Sequence, residues 1–163
     1  MITLIEIEDA IIQILQDAGD LEAVSDTSIT TYGDSLNVAL EDYLKAQLAR
    51  FPLILVVFGG VQSVQEHDID GVNYQETQNW GVLVADRNLG SEQFARRGQE
   101  EHGTTGTYAL QEMVRDLLHN ASLGDENEIH KMKFRSSNEV MNANGVSAYA
   151  LTFQVEVERT SAN

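Results

Sequence analysis

Near the start of the chain, Leu4, Ile7, Ile11, Ile14, Leu15 and Ala18 recur at helical spacing. Thr3 and Glu6 stand ahead of them as a T-x-x-E capping box, and Glu6, Glu8 and Asp9 occupy the first turns, where the helix dipole favours acids. The pattern predicts a first helix closed by Gly19. A variable stretch with Val24 and Ile29 follows and leaves room for a strand. Leu36, Leu40, Tyr43, Leu44 and Leu48 then predict a second helix that starts near Asp34 or Ser35. Lys45 and Arg50 lie towards its C-terminus, and Pro52, the only proline, ends it.

The run Leu53-Ile54-Leu55-Val56-Val57-Phe58 is continuous rather than alternating, as in a strand buried on both faces. Gly59 and Gly60 interrupt it and predict a bulge before Val61 and Val64. After a polar turn over residues 66–71, Val72, Tyr74, Trp80, Val82 and Val84 share one parity, which predicts a strand folded back on the preceding one. Residues 88–106 are polar and dotted with glycine, with Leu89 and Phe94 the large apolar residues, and read as a long excursion holding a short helix. A third helix over residues 107–119 would bury Leu110, Met113, Val114, Leu117 and Leu118.

At the C-terminus, residues 129–140 and 146–159 flank a segment ending in Asn144-Gly145, the strongest short hairpin signal. With those two residues as the turn, Met132 faces Val157 and Phe134 faces Val155, while Lys131 meets Glu158 and Lys133 meets Glu156 on the other side. Arg135 then lies opposite Gln154. A four-residue loop shifts the partners but keeps the two faces. Lys131-Met132-Lys133-Phe134-Arg135, which looks like a nucleic-acid patch, is thereby read as half of a self-neutralised hairpin. The whole order predicts one α+β domain over residues 1–163, with a mostly antiparallel sheet of about four strands and helices packed on one face.

Charge changes the picture. The 163 residues carry 26 acids and 10 bases, a formal charge of −16. Residues 1–80 hold 14 of the acids with only Lys45 and Arg50, and the first 44 residues contain no base. Such a surface argues against gripping nucleic-acid phosphate or an anionic membrane. With no cysteine there is no disulfide and no thiolate metal site. The N-terminus has no basic n-region and no apolar run is long enough to span a bilayer, which predicts a cytoplasmic domain.

Candidate chemistry is sparse. There is no nucleophile elbow, P-loop, H-E-x-x-H or G-x-G-x-x-G. Glu66-His67-Asp68-Ile69-Asp70 and Glu100-Glu101-His102 carry metal-capable side chains, but an acidic polar turn has this composition by chance. No catalytic, cofactor or metal residues are assigned, and a small metal-dependent enzyme using His67, Asp68 and Asp70 is kept only as a distant rival. Arg96-Arg97-Gly98, inside the long excursion, is the densest basic spot. One reading is local salt bridging with Glu92, Glu100 and Glu101, or disorder. The other is docking on an acidic surface of another subunit, since guanidinium pairs carboxylate in two-point fashion. On the second reading Arg96, Arg97, Gly98, Phe94 and Arg87 are the subunit-interface candidates.

Several landmarks together resemble a known family. Ile5-Glu6-Ile7-Glu8-Asp9-Ala10-Ile11-Ile12 and Phe51-Pro52-Leu53-Ile54-Leu55-Val56-Val57-Phe58-Gly59-Gly60 are the first two. Trp80-Gly81-Val82-Leu83-Val84-Ala85, followed by Arg96-Arg97-Gly98, is the third. Gly106-Thr107-Tyr108-Ala109-Leu110, leading into Val114-Arg115-Asp116-Leu117-Leu118, is the fourth, and Val146-Ser147-Ala148-Tyr149-Ala150-Leu151-Thr152-Phe153 the last. In this order they resemble the tail-completion or tail-terminator protein of Mu-like contractile-tailed phages and prophages. The chain departs from that pattern in its acidity and over residues 99–105. The resemblance implies a non-enzymatic α+β protein that forms a ring, commonly hexameric, capping tail tube and sheath and joining the tail to the head. It implies tube, sheath and head–neck connector proteins as partners, DNA that passes without specific binding, no cofactor, and a place in the tail–neck region of a virion assembled in the bacterial cytoplasm. A head-completion or connector protein of the same particle is the alternative.

Overall fold

The computed structural model describes residues 1–21, 29–31, 51–88, 90–99, 101 and 104–161. The expected second helix lies outside the described residues. Helix α1, Leu4–Gln16, begins with the capping box: Glu6 N–H donates to Thr3 Oγ1 at 3.2 Å, and Thr3 N–H donates to Glu6 Oε2 at 2.7 Å. It buries Ile7, Ile11 and Leu15, whereas Leu4 stays on the exposed side. Gly19 does not close it. The cap is Asp17, in right-handed conformation, and Gly19–Leu21 forms a separate 3₁₀ turn.

Strand β1, Ile29–Thr31, runs parallel to the start of β2, Leu53–Glu66, and β2 pairs antiparallel with β3, Asn73–Arg87. A short helix α2, Glu92–Arg97, and helix α3, Thr107–Leu118, precede the final hairpin of β4, Lys133–Ala143, and β5, Val146–Thr160. The sheet order is β1-β2-β3-β5-β4. The architecture is therefore α+β, with five strands: the room left for a strand around Ile29 is taken by the short β1, whose parallel pairing no local alternation announces.

The sheet's two faces differ. Ile54, Val56, Trp80, Val82, Val84, Leu151, Phe153, Val155 and Val157 point towards α1 and α3 and form the main core with Ile11, Leu15, Leu110, Val114 and Leu118. On the opposite face Leu53, Leu55, Leu83, Ala85 and Ala148 make a smaller buried cluster, with Phe51, Val57 and Met141 partly buried against it. Burial on both faces is what the unbroken apolar run at the start of β2 predicts. Each fully buried large side chain contributes about 1.5–3 kcal/mol.

Beyond Phe58 the character changes. The pairing shifts between Phe58 and Gly60, and Gly60 has φ +99°, so the predicted glycine bulge is present. From there β2 and β3 continue as an exposed ribbon to a tip over residues 67–72, and β5 runs beside β3 along its full length. Beyond Val56, β2 has no strand on its outer edge among the described residues.

The final hairpin corrects one expectation. Ala143 pairs with Val146, Asn142 with Ser147 and Met141 with Ala148, as the Asn-Gly turn requires. The register then slips between Glu139 and Met141 and again between Phe134 and Ser136. Phe134 therefore faces Phe153, not Val155, and Lys133 faces Gln154, not Glu156. Two single-residue slips restore the parity of the strand, so Phe134 still meets the main core while the predicted charge pairs are lost. Lys131 lies 3.5 Å from Glu126 instead of opposite Glu158. Ile129, outside the strand, takes the bridge to Val157.

Candidate functional site

The described residues of the excursion over 88–106 rest on buried polar contacts. Asp86, at the end of β3, is 2 % exposed. Its carboxylate accepts the N–H of Gly106 and of Arg87, both at 2.8 Å. Burial nevertheless outweighs these donors and holds its pKa above the ordinary 3.8. Asn88 follows on the chain: its Oδ1 accepts Gly90 N–H, and its Nδ2 donates to Gln99 Oε1 at 2.9 Å and Thr104 Oγ1 at 3.1 Å. Gln99 and Thr104 also exchange backbone hydrogen bonds at 2.8 and 3.1 Å. The two stems of the excursion are thus locked side by side.

Within it, Ser91 caps α2 by accepting Gln93 N–H at 3.0 Å, and Gly98 ends the helix with φ +84°. Gly98 and Gly106 lie backbone to backbone. A Cβ on Gly98 would stand 2.4 Å from Thr105 O, and one on Gly106 2.3 Å from Gly98 N. At the base, Thr107 Oγ1 and Ser147 Oγ share a buried hydrogen bond of 2.8 Å that docks α3 on β5. Glu92 Oε1 accepts Gly145 N–H, a contact that lowers the Glu92 pKa, while Asn88 N–H donates to Gly145 O. The excursion is therefore clamped to the turn of the final hairpin.

The candidate contact residues separate here. Phe94 is 39 % exposed and Arg97 is exposed one helical turn later, so the two share an outward stripe of α2. Arg96 is half-buried, with its Nε lacking a hydrogen-bond partner. Arg87 lies over the Phe51 ring, 5.7 Å from its centroid. Gly98 acts inside the fold, letting the backbone close. Among the described residues none of Arg87, Arg96 and Arg97 has a carboxylate within ion-pair distance.

The acidic turn has a different organisation. His67 Nε2 lies 3.1 Å from Glu158 Oε2, Asp68 accepts from Asn73 Nδ2, and Ile69 projects fully into solvent. Among the described residues no three histidine or acid side chains converge as a metal site. No helix among them is long and apolar enough to cross a membrane. One feature that sequence reasoning set aside is the basic stretch over residues 131–135. Lys131, Lys133 and Arg135 line a groove of about 340 Å³ together with Thr77, His130, Gln154 and Glu156. The signal was in the sequence, but the bulges that expose it were not.

Over residues 3–158 the chain matches the family model described as Bacteriophage Mu, Gp37. A chain from the virion of a native gene transfer agent (GTA) particle shares the fold at a TM-score of 0.56 and 15 % identity, with 93 % of each chain covered. No curated protein sequence matches.

Proposed function

The chain belongs to the bacteriophage Mu Gp37 family, and we propose that it is a structural subunit of a phage particle that assembles as a ring, of six copies, at the head-proximal end of the tail. There it caps tube and sheath and joins the tail to the head, in a virion put together in the bacterial cytoplasm. The observation that carries this reading is the family match over nearly the whole chain. The likeness of fold to a chain of a virion particle agrees with it. The α2 stripe of Phe94 and Arg97 supports subunit contact, because an exposed aromatic ring and a guanidinium with no ion pair among the described residues suit a protein interface. No catalytic role is assigned.

The acidic surface has a use in this reading. Glu6, Asp9 and Asp17 on α1 and Glu66, Asp68 and Asp70 at the ribbon tip are exposed. A ring opening lined by part of this charge repels DNA phosphates and keeps a passing genome from sticking. Six copies each carrying −16 repel one another, so added salt, which shortens the Debye length to about 10 Å at 0.1 M, should favour assembly up to the point where it screens the bridging arginines. Sedimentation velocity across protein concentration and ionic strength tests this. A ring-sized species is expected, either alone or on addition of tail tubes. A chain that stays monomeric in all conditions and ignores tube ends overturns the reading. Arg96→Glu with Arg97→Glu should weaken assembly about tenfold or more while the far-ultraviolet spectrum stays unchanged. Unchanged assembly would remove α2 from the interface.

A further inference from the structure

The groove beside β4 gathers three cations, Lys131, Lys133 and Arg135, in a chain with a net charge of −16. It lies on the sheet face opposite α1 and α3, beside the outward positions of β5. Its cations are under-compensated because of the two register slips in the final hairpin. Lys133 bonds the amide oxygen of Asn120, and Arg135 Nε donates to Gln154 Oε1 at 2.6 Å. Neither has a carboxylate within 4 Å. Lys131 has one, Glu126, at 3.5 Å. Of the carboxylates that an unbulged register would set opposite the lysines, Glu156 stays in the groove wall but turns to His130, and Glu158 turns to the tip side. Glu156 lies 3.2 Å from His130, and Glu158 accepts from Gln75 Nε2 and sits between His130 and His67.

The same chain carries a projecting acidic feature at the end of the β2–β3 ribbon. Glu66, Asp68 and Asp70 surround the fully exposed Ile69, and Glu66 and Asp70 form no ion pair or side-chain hydrogen bond among the described residues. Apart from the exposed Asp9, the acids of α1 and its cap are more committed. Glu6 closes the capping box, Glu8 accepts from Thr31 and Asp17 accepts from Gln13. In its own chain the tip is tied beside the end of β5, through His67 to Glu158 and through Ser161 N–H to Val72 O. None of its carboxylates reaches a groove cation there.

We propose that the groove of Lys131, Lys133 and Arg135 receives the ribbon tip of a second copy of this chain, with Glu66 and Asp70 of one subunit set against Lys133 and Arg135 of the next. This inference rests on the ring reading and supplies a subunit contact separate from α2. The contact is heterologous, tip on groove, so each subunit offers one of each and the pairing can repeat from copy to copy, as a ring requires. It also places a cluster of three cations against a concentration of the chain's negative charge, which offsets the repulsion between copies.

A charge-swap series followed by sedimentation velocity tests it. Lys133→Glu with Arg135→Glu should weaken self-association about tenfold or more, and Glu66→Lys with Asp70→Lys should do the same. Combining all four substitutions should restore association to within about threefold of the original chain, since the pairing is reversed and kept. Should a reversal unfold the protein, Lys133→Gln with Arg135→Gln removes the two charges without introducing new ones and should give a smaller loss in the same direction. Wild-type association by every groove variant, or a folded combined variant no better than its parents, overturns the proposal while leaving the ring intact. An original chain that never self-associates, alone or on tube ends, overturns the ring and the tip-in-groove contact together. Tighter binding of the groove to duplex DNA than to a second copy also overturns it.

Discussion

Gly98 and Gly106 illustrate how much of the excursion depends on single residues. Both have positive φ, at +84° and +90°, and their backbones touch where a methyl group would overlap main-chain atoms. Either Gly→Ala change should cost more than about 1 kcal/mol, measurable as a lower midpoint in urea. Asp86 sets a second expectation. Because burial raises its folded-state pKa, the native protein binds this proton more readily than the unfolded chain. Asp86 therefore costs stability as pH rises from about 3.8 through the raised value, and the cost is relieved below both. The stability of Asp86→Asn relative to the original chain should rise across that window. A pH-independent difference would show that the buried carboxylate carries no such penalty. Sequence singled out Arg96, Arg97 and Gly98 by composition, but not the reason for Gly98, which is contact with a glycine eight positions away. It passed over Asp86 entirely, since nothing local distinguishes a buried carboxylate from a surface one.

At the scale of elements, legibility followed range. The capping box of Thr3 and Glu6, the glycine bulge after Phe58, the third helix and the Asn144-Gly145 turn are written in neighbouring residues, and all are present. Strand β1 and the two slips in the final hairpin depend on partners far along the chain; the sequence left room for the first around Ile29 without its parallel pairing, and gave no sign of the slips. The slips exchange Phe134–Val155 for Phe134–Phe153, whose rings meet edge to face at 5.5 Å between centroids in the main core. Packing of aromatic area thus outweighs the surface ion pairs of the unbulged register, worth about 0.2–1 kcal/mol each. The two kinds of contact should separate in measurement. Phe153→Ala should lose about 3–5 kcal/mol of unfolding free energy. Thr3→Ala, which removes only an exposed cap, should lose about 0.5–2 kcal/mol. A Phe153→Ala loss no larger than that of Thr3→Ala would mean that the β4–β5 face is not part of the cooperative core.

For the whole molecule, net charge is the property that sequence states most plainly and interprets least. The −16 argues against gripping DNA, but it does not say where charge is concentrated or left unpaired. Folding gathers Lys131, Lys133 and Arg135 at one groove, leaves Arg97 outward on α2, and carries Glu66, Asp68 and Asp70 to the tip of an exposed ribbon. The result is a subunit that carries both a cationic groove and an acidic tip, charges that two copies can set against each other. The central claim is the place of that assembly in the particle. Electron microscopy of intact particles decorated with an antibody against this chain tests it most directly. The label should lie in a ring at the junction of tail and head; label along the sheath, on the head or at the far end of the tail would contradict the account.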